Sequence, residues 1–124
     1  MTGQELVERA ERASAHAYAP YSSYLVGATL LLKDGSVVDG VNVENAAYPL
    51  GVCAERTAIA KAASEGARPG DIDAIGITAS PCGGCRQWLH EWRIERVYFR
   101  REDGSIAEYA PAGKLLPDTW NLPA

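Results

Sequence analysis

Three cysteines, Cys53, Cys82 and Cys85, are the only thiols in the chain. They fall in two short stretches, Val52-Cys53-Ala54-Glu55-Arg56-Thr57-Ala58 and Ser80-Pro81-Cys82-Gly83-Gly84-Cys85-Arg86. Three thiolates with a fourth position left to water form the ligand pattern of a catalytic zinc, whereas structural zinc sites are closed by four protein ligands. Glu55 follows the first cysteine by two residues and is expected to move protons rather than bind the ion. Three thiolates over-neutralise Zn²⁺ and disfavour a bound hydroxide, so positive charge must lie nearby. Helix N-termini supply about half a charge each. Arg56 is expected to supply a full one and to donate hydrogen bonds to a ligand sulfur. Taken singly, Glu55 reads as an ordinary acid in a helix first turn and Arg56 as a helix-surface cation. The Cys-x-x-Cys alone suits a thioredoxin-like redox motif equally well.

The elements that must position these groups follow from the pattern of the chain. Thr2-Gly3-Gln4-Glu5 reads as a capping box opening a helix, with Leu6, Ala10, Ala13 and Ala17 on one face and a stop before Pro20. Tyr18, Tyr21 and Tyr24 gather at its exit and are expected to cap the edge of the core. Residues 24–32 read as a strand, Asp34-Gly35 as a hairpin turn and residues 37–43 as the returning strand. Asn42, Glu44 and Asn45 stand at its C-terminal end, where open α/β sheets place ligands. Asx-turn chemistry is the plainer reading of the same three residues. Residues 54–65 form a helix stopped by Gly66, residues 72–79 a buried strand broken by Pro81, and residues 83–92 a further helix. Cys53 and the Cys82/Cys85 pair therefore both sit at helix N-termini. Strands over residues 97–101 and 106–109 flank a turn at Asp103-Gly104. The expected fold is α/β, a three-layer α/β/α sandwich with a mixed five-stranded sheet. Right-handed crossovers bring the two cysteine-bearing helix starts to one sheet edge.

Size and composition narrow the class. The 124 residues fit one domain over 1–124 and need no disulfide staple. The odd cysteine count also argues against a disulfide framework. Mean hydropathy is −0.17, and the longest apolar run, residues 26–32, is far too short to span a bilayer. The start Met1-Thr2-Gly3-Gln4-Glu5 lacks a basic, apolar leader pattern, so the cytoplasm is the expected location. The net charge of −4 disfavours nucleic acid as a partner. Arg93, Arg96, Arg100 and Arg101 form the one basic cluster and read as a solvated helix end and strand edge. His16 and His90 read as surface or subunit-contact residues, and Trp88 and Trp92 as core or subunit contacts.

Cys-x-Glu followed downstream by Pro-Cys-x-x-Cys is the signature of zinc-dependent nucleobase deaminases. Beyond it, Tyr18-Ala19-Pro20-Tyr21-Ser22, Val26-Gly27-Ala28, Gly40-Val41-Asn42-Val43-Glu44-Asn45-Ala46-Ala47-Tyr48 and Leu115-Leu116-Pro117 make almost the whole chain resemble the small homotetrameric cytidine deaminases. The resemblance implies one zinc per chain and hydrolysis of cytidine and deoxycytidine to the uridine forms. It implies that Asn42 and Glu44 bind the ribose hydroxyls. Glu55 holds N3 of the base and shuttles the proton during attack at C4, and the Ala54 amide meets the O2 edge. By the same resemblance Arg56 is tied to the thiolates, Ala46 and Tyr48 reach a neighbouring subunit's nucleoside, and a tail aromatic stacks on the base. The chain departs from the family at two base-contacting positions. It has Tyr24-Leu25 where Phe-Pro is usual, and Trp120 where the tail carries Phe. Blasticidin S-type deaminases share the two cysteine motifs and form the alternative within the same chemistry. A non-catalytic zinc or redox module is the alternative from another class.

Overall fold

A computed structural model describes residues 1–122; the last two positions lie outside the described residues. The first helix, α1 (Gly3–Ala13), opens on the expected capping box. Thr2 accepts from the Glu5 backbone N–H, and Glu5 accepts from the Thr2 backbone N–H. The helix ends earlier than its small-residue stripe suggests. Ser14 donates its hydroxyl to the Glu11 carbonyl, and the chain tightens into a 3₁₀ turn over Ser14–His16. Leu6, Val7 and Ala10 form the buried face, while Ala13 and Ala17 are half-buried.

Strands β1 (Gly27–Leu32) and β2 (Val37–Val41) form an antiparallel hairpin. Gly35 adopts φ +90° at its tip, the left-handed conformation that the Asp-Gly turn requires. Helix α2 (Ala54–Ser64) leads to β3 (Ile72–Ile77), and α3 (Gly83–Glu91) leads to β4 (Arg96–Arg100), which turns back into β5 (Ile106–Tyr109). The sheet order is β2-β1-β3-β4-β5. Only β3 and β4 pair in parallel; the other three pairings are antiparallel. This is the mixed five-stranded sheet expected from the element order.

The pleat sorts side chains onto two faces. Leu30, Val38, Ile75, Ile77, Val97, Phe99 and Ala107 share one core with Ala58, Ile59 and Ala62 of α2 and Leu89 of α3. The opposite face carries Thr29, Ala74 and Gly76 beneath α1, where a side chain at Gly76 would strike Leu6. The layers are therefore α1, the sheet, and α2 with α3.

Topology places the two cysteine motifs. Strand β1 runs antiparallel to both β2 and β3, so β2 and β3 point the same way. The steps β2-α2-β3 and β3-α3-β4 both advance in one direction across the sheet. Crossovers of one hand then lay both helices on the same face and start them at the same sheet edge.

Several expectations change in detail, among them the ends of β2 at Val41 rather than residue 43 and of β3 at Ile77 rather than residue 79. The first strand starts at Gly27 rather than Tyr24. A side chain occupies the backbone groups just before it: Asn42 Oδ1 accepts from Val26 N–H at 2.8 Å, and Asn42 Nδ2 donates to the Tyr24 carbonyl at 2.9 Å. Tyr18, Tyr21 and Tyr24 do not cap the core edge; all three are exposed. Within the basic cluster, Arg96 pairs with Asp73 at 2.6 Å and Arg100 with Glu11 at 2.9 Å, so half of it is neutralised locally.

Helix α2 approaches β2 closely at Gly40. A methyl there would sit 2.5 Å from the Ala58 nitrogen and 2.6 Å from the Ala54 carbonyl oxygen. Backbone cannot yield as a flexible side chain can, so Gly40→Ala is expected to destabilise the chain by about 1–3 kcal/mol. Thermal unfolding should register this as a fall in Tm of several degrees.

Candidate metal centre and active site

Cys53 is the N-cap of α2 and Cys82 the N-cap of α3; Cys85 lies in the first turn of α3. The common N-cap residues, Ser, Thr, Asp and Asn, turn a side-chain oxygen back onto the helix amides. Neither cysteine makes such a bond, so both sulfurs are left for another partner. The three sulfur atoms lie within 4.8 Å of one another. Cys53 Sγ and Cys82 Sγ are 4.0 Å apart, about twice a disulfide bond. Tetrahedral zinc with Zn–S bonds near 2.3 Å separates its sulfurs by about 3.8 Å. The three thiols therefore fit a metal ion in both chemistry and spacing.

Charge around the sulfurs is graded. Arg56 Nη2 donates to Cys53 Sγ at 3.3 Å, as the charge argument requires. Its Nε is buried and has no hydrogen-bond partner. Burial pushes the Cys85 thiol pKa up strongly, and the Glu55 and Cys53 charges add to the effect. Burial also opposes ionisation of Cys82. Hydrogen bonds from the Cys85 backbone and thiol and from Cys53 outweigh it and bring that pKa down. Glu55 is only 3% exposed. Burial lifts its pKa above the usual carboxylate range, while its own backbone N–H, the Cys85 thiol and the Arg56 charge partly offset the rise. A carboxyl displaced toward neutral pH can both hold and release a proton.

A cavity of about 370 Å³ opens onto this centre. Cys53, Ala54, Glu55 and Cys82 line its floor; Tyr24, Asn42 and Glu44 line its wall. Both wall carboxylate and amide are already engaged. Glu44 Oε1 accepts from the Tyr21 and Ser22 backbone N–H groups at 3.0 and 3.1 Å, and Oε2 accepts the Ser22 hydroxyl. The Ser22 hydroxyl and backbone bonds, and then the Tyr21 bond, hold the Glu44 pKa below its ordinary value against the small effect of burial. Asn42 braces residues 24 and 26 as described above. Only Asn45 makes a short Asx-type bond, to the Ala47 N–H at 2.9 Å; Asn42 and Glu44 reach back across some twenty positions instead.

Ala46, Tyr48 and Trp120 stand outside this cavity. Tyr48 is 78% exposed and packs edge-on against Tyr21. Trp120 is 67% exposed, beside the Asn121 side chain that bonds His90 at 2.7 Å. Single-chain geometry does not bring these three to the metal centre.

Sequence reasoning missed Arg86. Its guanidinium donates to the Pro81 carbonyl at 2.9 Å, the Ser80 hydroxyl at 3.0 Å and the Leu115 carbonyl at 3.0 Å. It thus ties the loop before Cys82 to the C-terminal 3₁₀ turn Ala112–Leu115. The available signal was its place in a helix first turn, where the dipole disfavours a cation.

Comparison with known proteins agrees with this geometry. Residues 1–101 match the family model described as the cytidine and deoxycytidylate deaminase zinc-binding region. A cytidine deaminase of Halalkalibacterium halodurans is 46% identical, over 97% of this chain and 95% of its own. One from Sporosarcina psychrophila is 40% identical, over 98% and 93%. The crystal structure of cytidine deaminase from Burkholderia pseudomallei superposes with a TM-score of 0.89 at 43% identity, covering 97% of this chain and all of that one. The Mycobacterium tuberculosis cytidine deaminase structure gives 0.82 at 35% identity, over 98% and 99%. The chain belongs to the zinc-binding cytidine and deoxycytidylate deaminase family.

Proposed function

We propose that this chain, as one domain over 1–124, is a zinc-dependent hydrolase that converts cytidine and deoxycytidine to uridine and deoxyuridine and releases ammonia. One observation carries the reading. A single cavity joins two of three metal-competent sulfurs, a buried carboxyl and an Asn/Glu pair suited to sugar hydroxyls. A redox module needs neither the carboxyl nor the pair.

In this reading Cys53, Cys82 and Cys85 hold the ion. Zinc, when bound, brings the pKa of water toward neutrality and so supplies a nucleophile at physiological pH. Arg56 offsets the thiolate charge through Cys53. Glu55 holds N3 of the base and would carry one proton of the attacking water to N3 and then the second, from the new C4 hydroxyl, to the departing nitrogen as the C4–N bond breaks. The Ala54 backbone N–H, free in the first turn of α2, receives the O2 edge. Glu44 keeps lone-pair capacity on Oε2, and Asn42 keeps one hydrogen on Nδ2 and one lone pair on Oδ1. Those remaining groups take the sugar hydroxyls, and the Tyr24 ring stands at the rim.

Exposed apolar side chains gather on the two segments that flank the β1-β2 hairpin: Tyr18, Tyr21, Tyr24 and Leu25 before β1, and Tyr48 and Leu50 between β2 and α2. A surface of this kind marks an association site. It supports a homotetramer in which Ala46, Tyr48 and Trp120 of one copy complete the cavity of another. The acidic net charge and the local pairing of Arg96 and Arg100 support a free nucleoside rather than nucleic acid as the substrate. No described helix is long and apolar enough to cross a membrane, and the cytoplasm is the proposed location.

Ammonia release from a panel of cytidine, deoxycytidine, cytosine, CMP and blasticidin S tests the substrate. Cytidine or deoxycytidine should turn over fastest. Turnover confined to blasticidin S would move the assignment to the neighbouring group while leaving the chemistry in place. Glu55→Gln is expected to keep its zinc and lose about 10²–10⁴-fold in kcat. Metal analysis should find one zinc per chain, a marked loss in Cys85→Ala and reduced retention in Arg56→Ala. Light scattering should give a mass near four times the 13.3 kDa chain.

A further inference from the structure

Residues 17–26 contain no helix or strand, apart from one isolated bridge at Tyr18. They nonetheless form one wall of the cavity. Ser23 holds them in a turn with φ +58°, a conformation that costs a non-glycine residue energy. Such a segment keeps its shape only if its polar backbone groups are bound elsewhere. Tyr18 N–H donates to the Asn42 carbonyl at 3.0 Å, and Glu44 N–H to the Tyr18 carbonyl at 2.8 Å. Two further bonds meet at one hydroxyl. Ser22 Oγ donates to Glu44 Oε2 and at the same time accepts from Tyr24 N–H at 3.0 Å. Tyr24 in turn offers its carbonyl to Asn42. Among the described residues, Ser22 is thus the one side chain of the segment that bonds both Glu44 and the backbone N–H of Tyr24.

We propose that Ser22 is a positioning residue that fixes Glu44 and Tyr24 in a single geometry and so sets the affinity of the site for the sugar of its nucleoside. The hydroxyl has one hydrogen and spends it on Glu44. Its lone pairs serve Tyr24. It therefore acts through its two neighbours and not on the reacting atoms. Without it, Glu44 loses the donor to one oxygen and is free to rotate about the two backbone bonds at the other, while Tyr24 N–H is released to solvent. The sulfurs and Glu55 stand at the starts of α2 and α3, and the Ser22 hydroxyl bonds to none of them, so the effect falls on binding.

The inference rests on the sugar role of Asn42 and Glu44 given above, and the experiment separates the two. In Ser22→Ala the KM for cytidine should rise about tenfold, the size expected for a lost hydrogen bond to a charged group. The kcat should stay within about threefold and zinc content should not change. Ser22→Thr keeps the hydroxyl and should restore KM. In a Glu44→Gln background, Ser22→Ala should add less than about twofold, because the shared route is already weakened. Hydrogen exchange reads the same coupling without substrate: the Tyr21, Ser22 and Tyr24 amides should exchange about tenfold faster in Ser22→Ala and normally in Ser22→Thr. Unchanged exchange at these amides overturns the proposal whether or not cytidine is a substrate. So does a kcat loss that matches or exceeds the KM change, or a failure of threonine to rescue. A wild-type chain inactive on cytidine but with the expected exchange pattern would overturn the sugar assignment alone.

Discussion

The structure depends on the way two parallel-pointing strands end at one edge of the sheet. Strands β2 and β3 deliver the chain to the same side, and the helix after each packs on the same face. The first residues of α2 and α3 are therefore neighbours although 29 positions separate Cys53 from Cys82. Each is an N-cap, the point where helix amides are unsatisfied and the helix dipole is most positive. Three thiolates gathered at this edge would repel one another without compensation. The chain answers in two ways. Arg56 lies against Cys53, and burial pushes the Cys85 thiol pKa up.

The other half of the cavity is built on a different principle. The metal side stands on helices, whose backbones satisfy themselves. The opposite wall stands on residues 17–26, which have no ladder of their own. Asn42 and Glu44 supply the missing bonds from just beyond the end of β2. In the proposed reading the same two side chains therefore serve both the fold and the ligand. A carboxylate held by two backbone N–H groups is pre-organised, so little rotamer freedom is lost when a hydroxyl joins it. The cost is that folding and binding share one small network, and a change in any member is felt by both.

Close backbone approach lets the layers meet at these places. Gly76 lies beneath Leu6, Gly27 beneath Ala10, and Gly40 against Ala54 and Ala58. The last contact matters for the site because Ala54 begins the helix that carries Cys53, Glu55 and Arg56. Packing density at β2 is thus transmitted to the metal centre through one rigid element. Arg86 performs a related task for α3, holding the Ser80-Pro81 loop against the C-terminal turn.

Local chemistry made much of this readable in advance. The Thr2/Glu5 capping box, the Asp34-Gly35 turn, the bounds of residues 106–109 and the stop at Gly66 all depend on neighbours in the chain, and they stand where their residue types place them. The metal motif was legible for the same reason: Cys-x-x-Cys spans one helical turn, and Cys-x-Glu sits at a helix start. The bonds that cross the molecule were not legible. Asn42 reaches Val26 and displaces the start of β1, Arg86 reaches Leu115, and His90 reaches Asn121; no local pattern encodes those partners. The Cys-x-Glu and Pro-Cys-x-x-Cys stretches taken together pointed to the class of chemistry, because their combination matches the zinc deaminase signature. Tertiary structure decided that Cys53 meets Cys82, that Glu55 is buried enough to raise its pKa, and that Tyr48 and Trp120 stand outside their own chain's cavity. Each of these is a distance or a burial set by how the layers pack, and neither quantity exists until the sheet has formed.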